Sequence, residues 1–168
     1  MDLTEYQELA VRTASQHPMP LRLAIAGLGL AGETAELIGE EDPEKLPLEL
    51  GDVMWYVAEV ASCVGLGLQH SDSRIIQYAG MSSYNLTNEL VVQTGSLADY
   101  IKKVVGHGHD LAPEKVQGYL DGIIQNLQWL CHRQGIDFDA CLLQNIEKLK
   151  KRYPEGFSTI NSIHRSNT

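Results

Sequence analysis

The spacing of apolar residues predicts an all-α protein, an antiparallel helical bundle of about six helices built as two similar helical halves. Three observations support this fold class. Apolar residues recur at helical spacing along nearly the whole chain, no stretch alternates with period two for long enough to make a sheet, and prolines and glycines punctuate the ends of the periodic segments. With 168 residues, 43% of them apolar, the chain can bury the core of one ordinary domain, which excludes general disorder. A single domain is expected over residues 1–168, its first half over 1–68 and its second over about 82–157.

The elements follow in order. Thr4-Glu5-Tyr6-Gln7 reads as a capping box, after which Tyr6, Leu9, Ala10 and Thr13 share a face until Pro18 and Pro20 stop the first helix. A second helix is expected from Leu21 to Glu40, ended by the acidic turn Glu40-Glu41-Asp42-Pro43. A third starts near Pro47, which suits a first turn, carries Val53, Tyr56, Val57, Val60 and Val64 inward, and ends at Gly65 and Gly67. Gln69 to Gly80 reads as a connector. Helix four is expected from Ser82 to Val105, helix five from Pro113 to Gln134 and helix six from Asp137 to Tyr153, with Gly106, Gly108 and Gly135 marking ends. Past Gly156 the tail is expected to be loosely held.

The halves resemble each other. Gly32-Glu33-Thr34-Ala35-Glu36-Leu37 lines up with Gly95-Ser96-Leu97-Ala98-Asp99-Tyr100, and Val53 to Leu66 with Ile123 to Ile136. An internal duplication is the expectation, although any two amphipathic helical hairpins share some likeness.

Thirteen lysines and arginines against 22 aspartates and glutamates leave a net charge of −9, which argues against a nucleic-acid backbone or an anionic membrane as the main partner. The longest apolar run, Val53 to Leu68, is broken by Glu59 and falls short of the about 20 residues that a bilayer needs, so no membrane helix is expected. The acidic start, Met1-Asp2-Leu3-Thr4-Glu5, lacks the positive charge of a leader, and a cytoplasmic location is expected. Cys63, Cys131 and Cys141 form no C-x-x-C pair and read as small core residues.

Gly27-Leu28-Gly29-Leu30-Ala31-Gly32 satisfies the dinucleotide pattern G-x-G-x-x-G, and Asp52 follows at about the 20-residue distance of a ribose-binding acid. We reject that reading. Such an acid ends a buried strand, whereas Asp52 opens the helical pattern Gly51-Asp52-Val53-Met54-Trp55-Tyr56-Val57. Small residues here are expected to let the second helix approach a neighbour closely.

Two consecutive helices each carry acids at i, i+3, Glu33 with Glu36 and Glu49 with Asp52, and residues three apart share a face. Single helical acids are usually solvated. Four beside Gly32, Ala35 and Gly51 on an antiparallel hairpin are expected to face one another. Two unit charges about 5 Å apart repel by roughly 3 kcal/mol at an effective dielectric near 20, so a converged quartet needs protonation or a cation. An all-oxygen donor set favours Mg²⁺ or Mn²⁺ over Zn²⁺.

Glu33-x-x-Glu36 followed by Glu49-x-x-Asp52 resembles the E-x-x-E…E-x-x-D signature of the all-α nucleoside triphosphate pyrophosphohydrolases, the MazG-like superfamily. The contexts Gly27-Leu28 to Gly32-Glu33, Glu49-Leu50-Gly51-Asp52-Val53-Met54-Trp55-Tyr56 and Asn145-Ile146-Glu147-Lys148-Leu149-Lys150-Lys151-Arg152-Tyr153-Pro154-Glu155-Gly156-Phe157 are similar to those of that group. The resemblance implies Mg²⁺-dependent hydrolysis of a nucleoside triphosphate to monophosphate and pyrophosphate in a nucleotide-pool role, by a homo-oligomer, a dimer or tetramer. It implies Glu33, Glu36, Glu49 and Asp52 as metal ligands, with Glu36 and Glu49 catalytic and Glu36 the choice for activating water if one of the four does not ligate the metal.

The sequence departs from the family pattern after the first acid pair. Where many relatives carry two lysines, this chain has Leu37-Ile38-Gly39-Glu40, and Lys102-Lys103 follow the second copy instead. Ser96 and Tyr119 replace the first and third acids there, so one competent metal site per chain is expected, with Lys102 and Lys103 lent to it in cis or across an oligomer. Lys102, Lys103, Lys148 and Arg152 are expected to offset phosphate charge, and Asn145 to hydrogen-bond sugar or phosphate. Trp55 and Tyr56 are candidates for base stacking but read first as core, and His107-Gly108-His109 reads as a helix end. A close alternative keeps the same centre for dUTP or phosphoribosyl-ATP. An alternative of another class is a non-catalytic nucleotide-binding or self-assembling helical module.

Overall fold

The computed structural model describes residues 1–69, 78 and 80–159, which form six helices and no strand. The all-α expectation holds. Among the described residues no helix is long and apolar enough to cross a membrane. The expected connector from Gln69 to Gly80 lies mostly outside the described residues, as does the tail from residue 160 onward.

Helix α1 (Leu3–Val11) buries Leu3, Tyr6, Gln7 and Ala10, one face of a 3.6-residue period. Its start corrects the capping-box expectation. Asp2 stands at the N-cap without a side-chain cap, the Thr4 hydroxyl donates to the Leu68 carbonyl at 2.9 Å, and the Gln7 amide bonds Leu66 O and Leu68 N, both at 2.8 Å. The two polar residues tie α1 to the segment after α3 instead of to their own first turn. The helix also stops short of Pro18, because the Ala10 carbonyl is taken by the Thr13 backbone N–H, the Thr13 hydroxyl and the Trp55 indole N–H.

Helix α2 (Met19–Gly39) begins two residues before the expected Leu21, since Pro20 sits in its first turn, where a missing N–H costs nothing. Helix α3 (Leu46–Cys63) likewise holds Pro47 in its first turn, and the chain leaves it through Gly65 at φ +73°. Val53, Val57 and Val60 are buried as expected, whereas Tyr56 and Val64 are only half-buried. Helix α4 (Ser83–His107) starts on Ser82, whose side chain accepts from Asn85 N. It runs through Gly106, expected as an end, and stops at Gly108, whose left-handed φ of +71° a side chain would strain. Helix α5 (Pro113–Gln134) matches expectation and ends on Gly135 at φ +69°. Helix α6 (Phe138–Arg152) is capped by Asp137 accepting from Ala140 N. Beyond it, the Phe157 ring lies 5.9 Å from that of Tyr153.

The hairpins α2–α3 and α4–α5 pack on each other, α2 against α4 and α3 against α5, while α1 and α6 meet each other on α3. Helix α3 is thus enclosed, and its buried Val53, Met54, Val57, Ala58, Val60 and Ala61 form the centre of a core that also takes Leu30, Leu97, Ile123 and Ile146. The three cysteines are free and buried.

Glycines in α2 explain how closely its neighbours come. A Cβ at Gly27 would lie 2.9 Å from Ile101 Cδ1, and one at Gly29 would lie 2.1 Å from Tyr56 Cε1, inside the ring. Both occur in mid-helix, so no strand precedes them and the dinucleotide reading fails on structure as well. Gly32 has nothing within 4 Å and serves no such contact. Gly29→Ala is therefore expected to destabilise the fold by about 1–3 kcal/mol despite alanine's better helix propensity. Gly118→Ala on α5, with nothing within 4 Å of its Cβ, should stabilise by up to about 1 kcal/mol. Thermal melts of the two variants check the pair, and equal shifts would contradict the packing account.

Candidate metal centre and adjoining cavity

The α2–α3 hairpin brings the last third of α2 against the first turns of α3. One carboxylate oxygen from each of Glu33, Glu36 and Glu49 lies within 4.8 Å of the other two, the spacing of ligands around one ion. Glu33 and Glu49 are half-buried, Glu36 is exposed, and Gly32 and Ala35 beside them are exposed too. The acids therefore rim an open mouth instead of facing a packed interface.

Crowding shows in their acidity. Burial first, then the charges of Asp52, Glu36 and Glu49, push the Glu33 carboxyl up from 4.5 to about 7, with Lys148 opposing. Burial and the charges of Asp52 and Glu36 also raise Glu49. Between the ordinary value of 4.5 and about 7 the folded chain holds a proton on Glu33 that the unfolded chain has released. Metal-free stability should therefore be highest near the lower value and fall as pH rises through 7. After discounting for partial exposure the loss is about 1 kcal/mol, or roughly 2–4 °C in a chain of this size. Saturating Mg²⁺ should reverse the trend, because the ion binds the deprotonated cluster. Melts at pH 5 and pH 8 with and without Mg²⁺ check this, and identical slopes would contradict it.

Asp52, the fourth expected ligand, is engaged elsewhere. Lys148 Nζ lies 2.6 Å from its Oδ2, and Asn145 Nδ2 donates to its Oδ1 at 3.1 Å. The Asn145 oxygen in turn accepts the Tyr6 hydroxyl at 2.9 Å, and Tyr6 is wholly buried, its hydroxyl pKa raised by burial and then by Asp52. Asn145 can reach this position because residue 51 is glycine, where a Cβ would lie 2.7 Å from Asn145 Cβ. Two α6 side chains thus hold the α3 carboxylate of Asp52, and Tyr6 of α1 backs one of them. Both ends of the Asn145 amide are used and it is 1% exposed, so it holds Asp52 where the sequence reading had it touching sugar or phosphate. Ligation of an ion by Asp52 requires exchange of Lys148 for that ion.

Next to Glu33 and Asp52 opens a cavity of about 270 Å³ lined also by Trp55, Tyr56, Arg152, Tyr153 and Phe157. Its size is close to the lower bound of small-molecule pockets, about 300 Å³. The Trp55 indole donates to Ala10 O and Thr13 Oγ1, and its ring meets Tyr56 edge-on at 4.7 Å. These two aromatics pack half-buried against the core, as first read, and also form a wall of the cavity. Arg22 and Glu59 line the same cavity and join in a two-point ion pair, Nη2 to Oε2 at 2.8 Å and Nε to Oε1 at 2.5 Å. Sequence reasoning missed this pair. Its signal was Glu59 itself, one acid inside the apolar run of α3, 3% exposed in the fold.

The other candidates lie apart. Lys103 Nζ is 2.7 Å from Asp99 Oδ2 and Lys102 pairs with the other oxygen, which holds the Asp99 carboxyl down at about 2. Both lysines sit on α4, away from the lining of the aromatic cavity. His107 and His109 flank the glycine cap of α4 with ring centroids 6.5 Å apart, in keeping with a helix end. Of the four expected phosphate-binding cations, Arg152 lines the cavity and Lys148 reaches its edge through Asp52. Comparison with protein-family models, curated proteins and solved structures finds no match to this chain.

Proposed function

We propose that the chain is a Mg²⁺-dependent nucleoside triphosphate pyrophosphohydrolase of the MazG-like kind, which releases a nucleoside monophosphate and pyrophosphate. The observation that carries this reading is the convergence of Glu33, Glu36 and Glu49 at the mouth of an aromatic cavity. An all-oxygen donor set in which Glu33 and Glu49 have raised proton affinity fits Mg²⁺ or Mn²⁺, held by these three and by Asp52 once Lys148 has moved off it. A bound ion supplies charge neutralisation and a more acidic water. The chain's own residues supply the rest. Trp55, Tyr56, Tyr153 and Phe157 exclude solvent and stack a base, while Arg152 and the released Lys148 offset phosphate charge. Glu36, the exposed member, accepts the proton as water oxygen attacks the α-phosphorus. The bond from that phosphorus to the bridging oxygen breaks and pyrophosphate leaves.

Exposed Leu21, Ile25 and Leu28 form an apolar stripe along α2, which supports a homo-oligomer. Incubation with each common ribo- and deoxyribonucleoside triphosphate tests the activity. At least one should give equal amounts of monophosphate and pyrophosphate, without orthophosphate, and EDTA should stop it. Absence of pyrophosphate with every substrate would overturn the reading.

A further inference from the structure

The cavity beside the carboxylate cluster has two chemically different ends. Asp52, Trp55, Tyr56 and Glu59 all line it, and they fall on one face of α3 at intervals of three or four residues. At about 1.5 Å of rise per residue, Glu59 stands about 10 Å beyond Asp52 along the helix. Helix α2 runs the other way, so Glu33 sits at the Asp52 end of the cavity and Arg22 at the Glu59 end. An acidic end, an aromatic wall and an ion-paired end therefore follow one another over a distance comparable to a nucleoside monophosphate from its phosphate to its base edge.

The ion pair at the far end keeps valences in reserve. Arg22 donates from Nε to Glu59 Oε1 at 2.5 Å and from Nη2 to Oε2 at 2.8 Å, and the Cys63 thiol donates to Oε1 at 3.9 Å. A guanidinium carries five N–H donors and a carboxylate about four acceptor sites. Among the described residues, three N–H donors of Arg22 and one acceptor site on Glu59 Oε2 are therefore left over. Both residues line the cavity, so an occupant can meet these groups. Stability alone does not call for the pair, because apolar residues of similar volume hold such a position about as well. One acceptor beside several donors does not suit all base edges equally. Cytosine presents one amino donor, N4, followed by two acceptors, N3 and O2, and carboxylates accept from that amino group in base recognition. Guanine presents the reverse order, uracil sets its one donor between two acceptors, and adenine has a single acceptor beside its amino group.

We propose that Arg22 and Glu59 read the base of the substrate and select cytosine, with N4 donating to Glu59 Oε2, Arg22 donating to N3 and O2, and Trp55 and Tyr56 lying against the ring. This assignment rests on the proposed function for the use of the cavity by a nucleotide, but base binding needs neither the metal nor hydrolysis, so the two are tested apart.

Calorimetric titration of the full chain in EDTA with cytidine and uridine 5′-monophosphates is the experiment, since the two probes share charge, sugar and size and differ at the base edge. The cytidine probe should bind at least about tenfold more tightly. Arg22→Met/Glu59→Leu, which replaces the whole pair by apolar groups, should bring the two affinities to within about twofold of each other. Glu59→Gln should also narrow the difference, because an amide can turn a donor toward O4 of uracil. No binding of either probe at millimolar concentration, equal affinities in the parent, or an undiminished preference in either variant would overturn the assignment. Initial rates on the two triphosphates with Mg²⁺ separate it from the hydrolase reading. Pyrophosphate released from both at equal kcat/KM would overturn the base assignment alone, whereas selective binding of the cytidine probe without release from any triphosphate would overturn the hydrolase reading alone.

Discussion

Glu49→Gln is expected to lower Mg²⁺-dependent pyrophosphate release by at least about a hundredfold while the helices stay folded. The substitution keeps the shape of the side chain and removes one of three charges gathered within 4.8 Å. Two consequences of opposite sign should follow in one protein. The metal-free melting temperature should rise, because the charge that burial and Asp52 already disfavour is gone. Stabilisation by Mg²⁺ should shrink, because binding to the folded state alone adds about 2.7 kcal/mol at a hundred times the dissociation constant, and a weakened site loses that linkage. Melts with and without Mg²⁺, beside steady-state assays of pyrophosphate, read all three effects. Retained activity with unchanged Mg²⁺ linkage would remove the carboxylate cluster from the proposal.

The second large effect concerns the cavity wall. Arg22→Met should destabilise the chain by about 3–5 kcal/mol, since it leaves the Glu59 carboxylate, 3% exposed, without its partner. In a chain of this length that is a fall in Tm of roughly 10 °C. Arg22→Met/Glu59→Leu should recover most of the loss, because replacing both members of a buried pair by apolar groups is often close to neutral. Thermal or urea melts of the single and double variants form the test. A single variant that melts with the parent would mean that Glu59 finds water or another partner in the cavity, and the pair would then add nothing to the fold.

Helical periodicity made the bundle legible, and glycine and proline chemistry made most of its ends legible. Pro113 and Gly135 bound α5 as expected, and Asp137 caps α6. The failures share a cause. Thr4 and Gln7 have the spelling of a capping box, but their partners are Leu66 and Leu68, which a local reading cannot see. Gly106 and Gly108 are alike as residue types, whereas of the two only Gly108 adopts the left-handed backbone that closes the helix.

The same limit applies at the site. The i, i+3 spacing located Glu33, Glu36 and Glu49 correctly relative to one another, because both pairs lie on one hairpin. The attachment of Asp52 to Lys148 spans 96 residues, and that of Arg22 to Glu59 spans 37, so each needed the tertiary fold. Apolar surroundings were the usable hint for Glu59. No comparable hint marked Tyr6 as the support of Asn145, since a buried tyrosine is ordinary core.

The ion pair between Lys148 and Asp52 has a consequence for charge balance over a binding cycle. The ammonium acts as a resident counter-ion for Asp52, while Glu33, Glu36 and Glu49 keep their mutual repulsion. In the proposed cycle a divalent guest would take over that duty, and the same ammonium would then stand beside the anion that arrives with it. One side chain would thereby serve both the vacant and the loaded pocket.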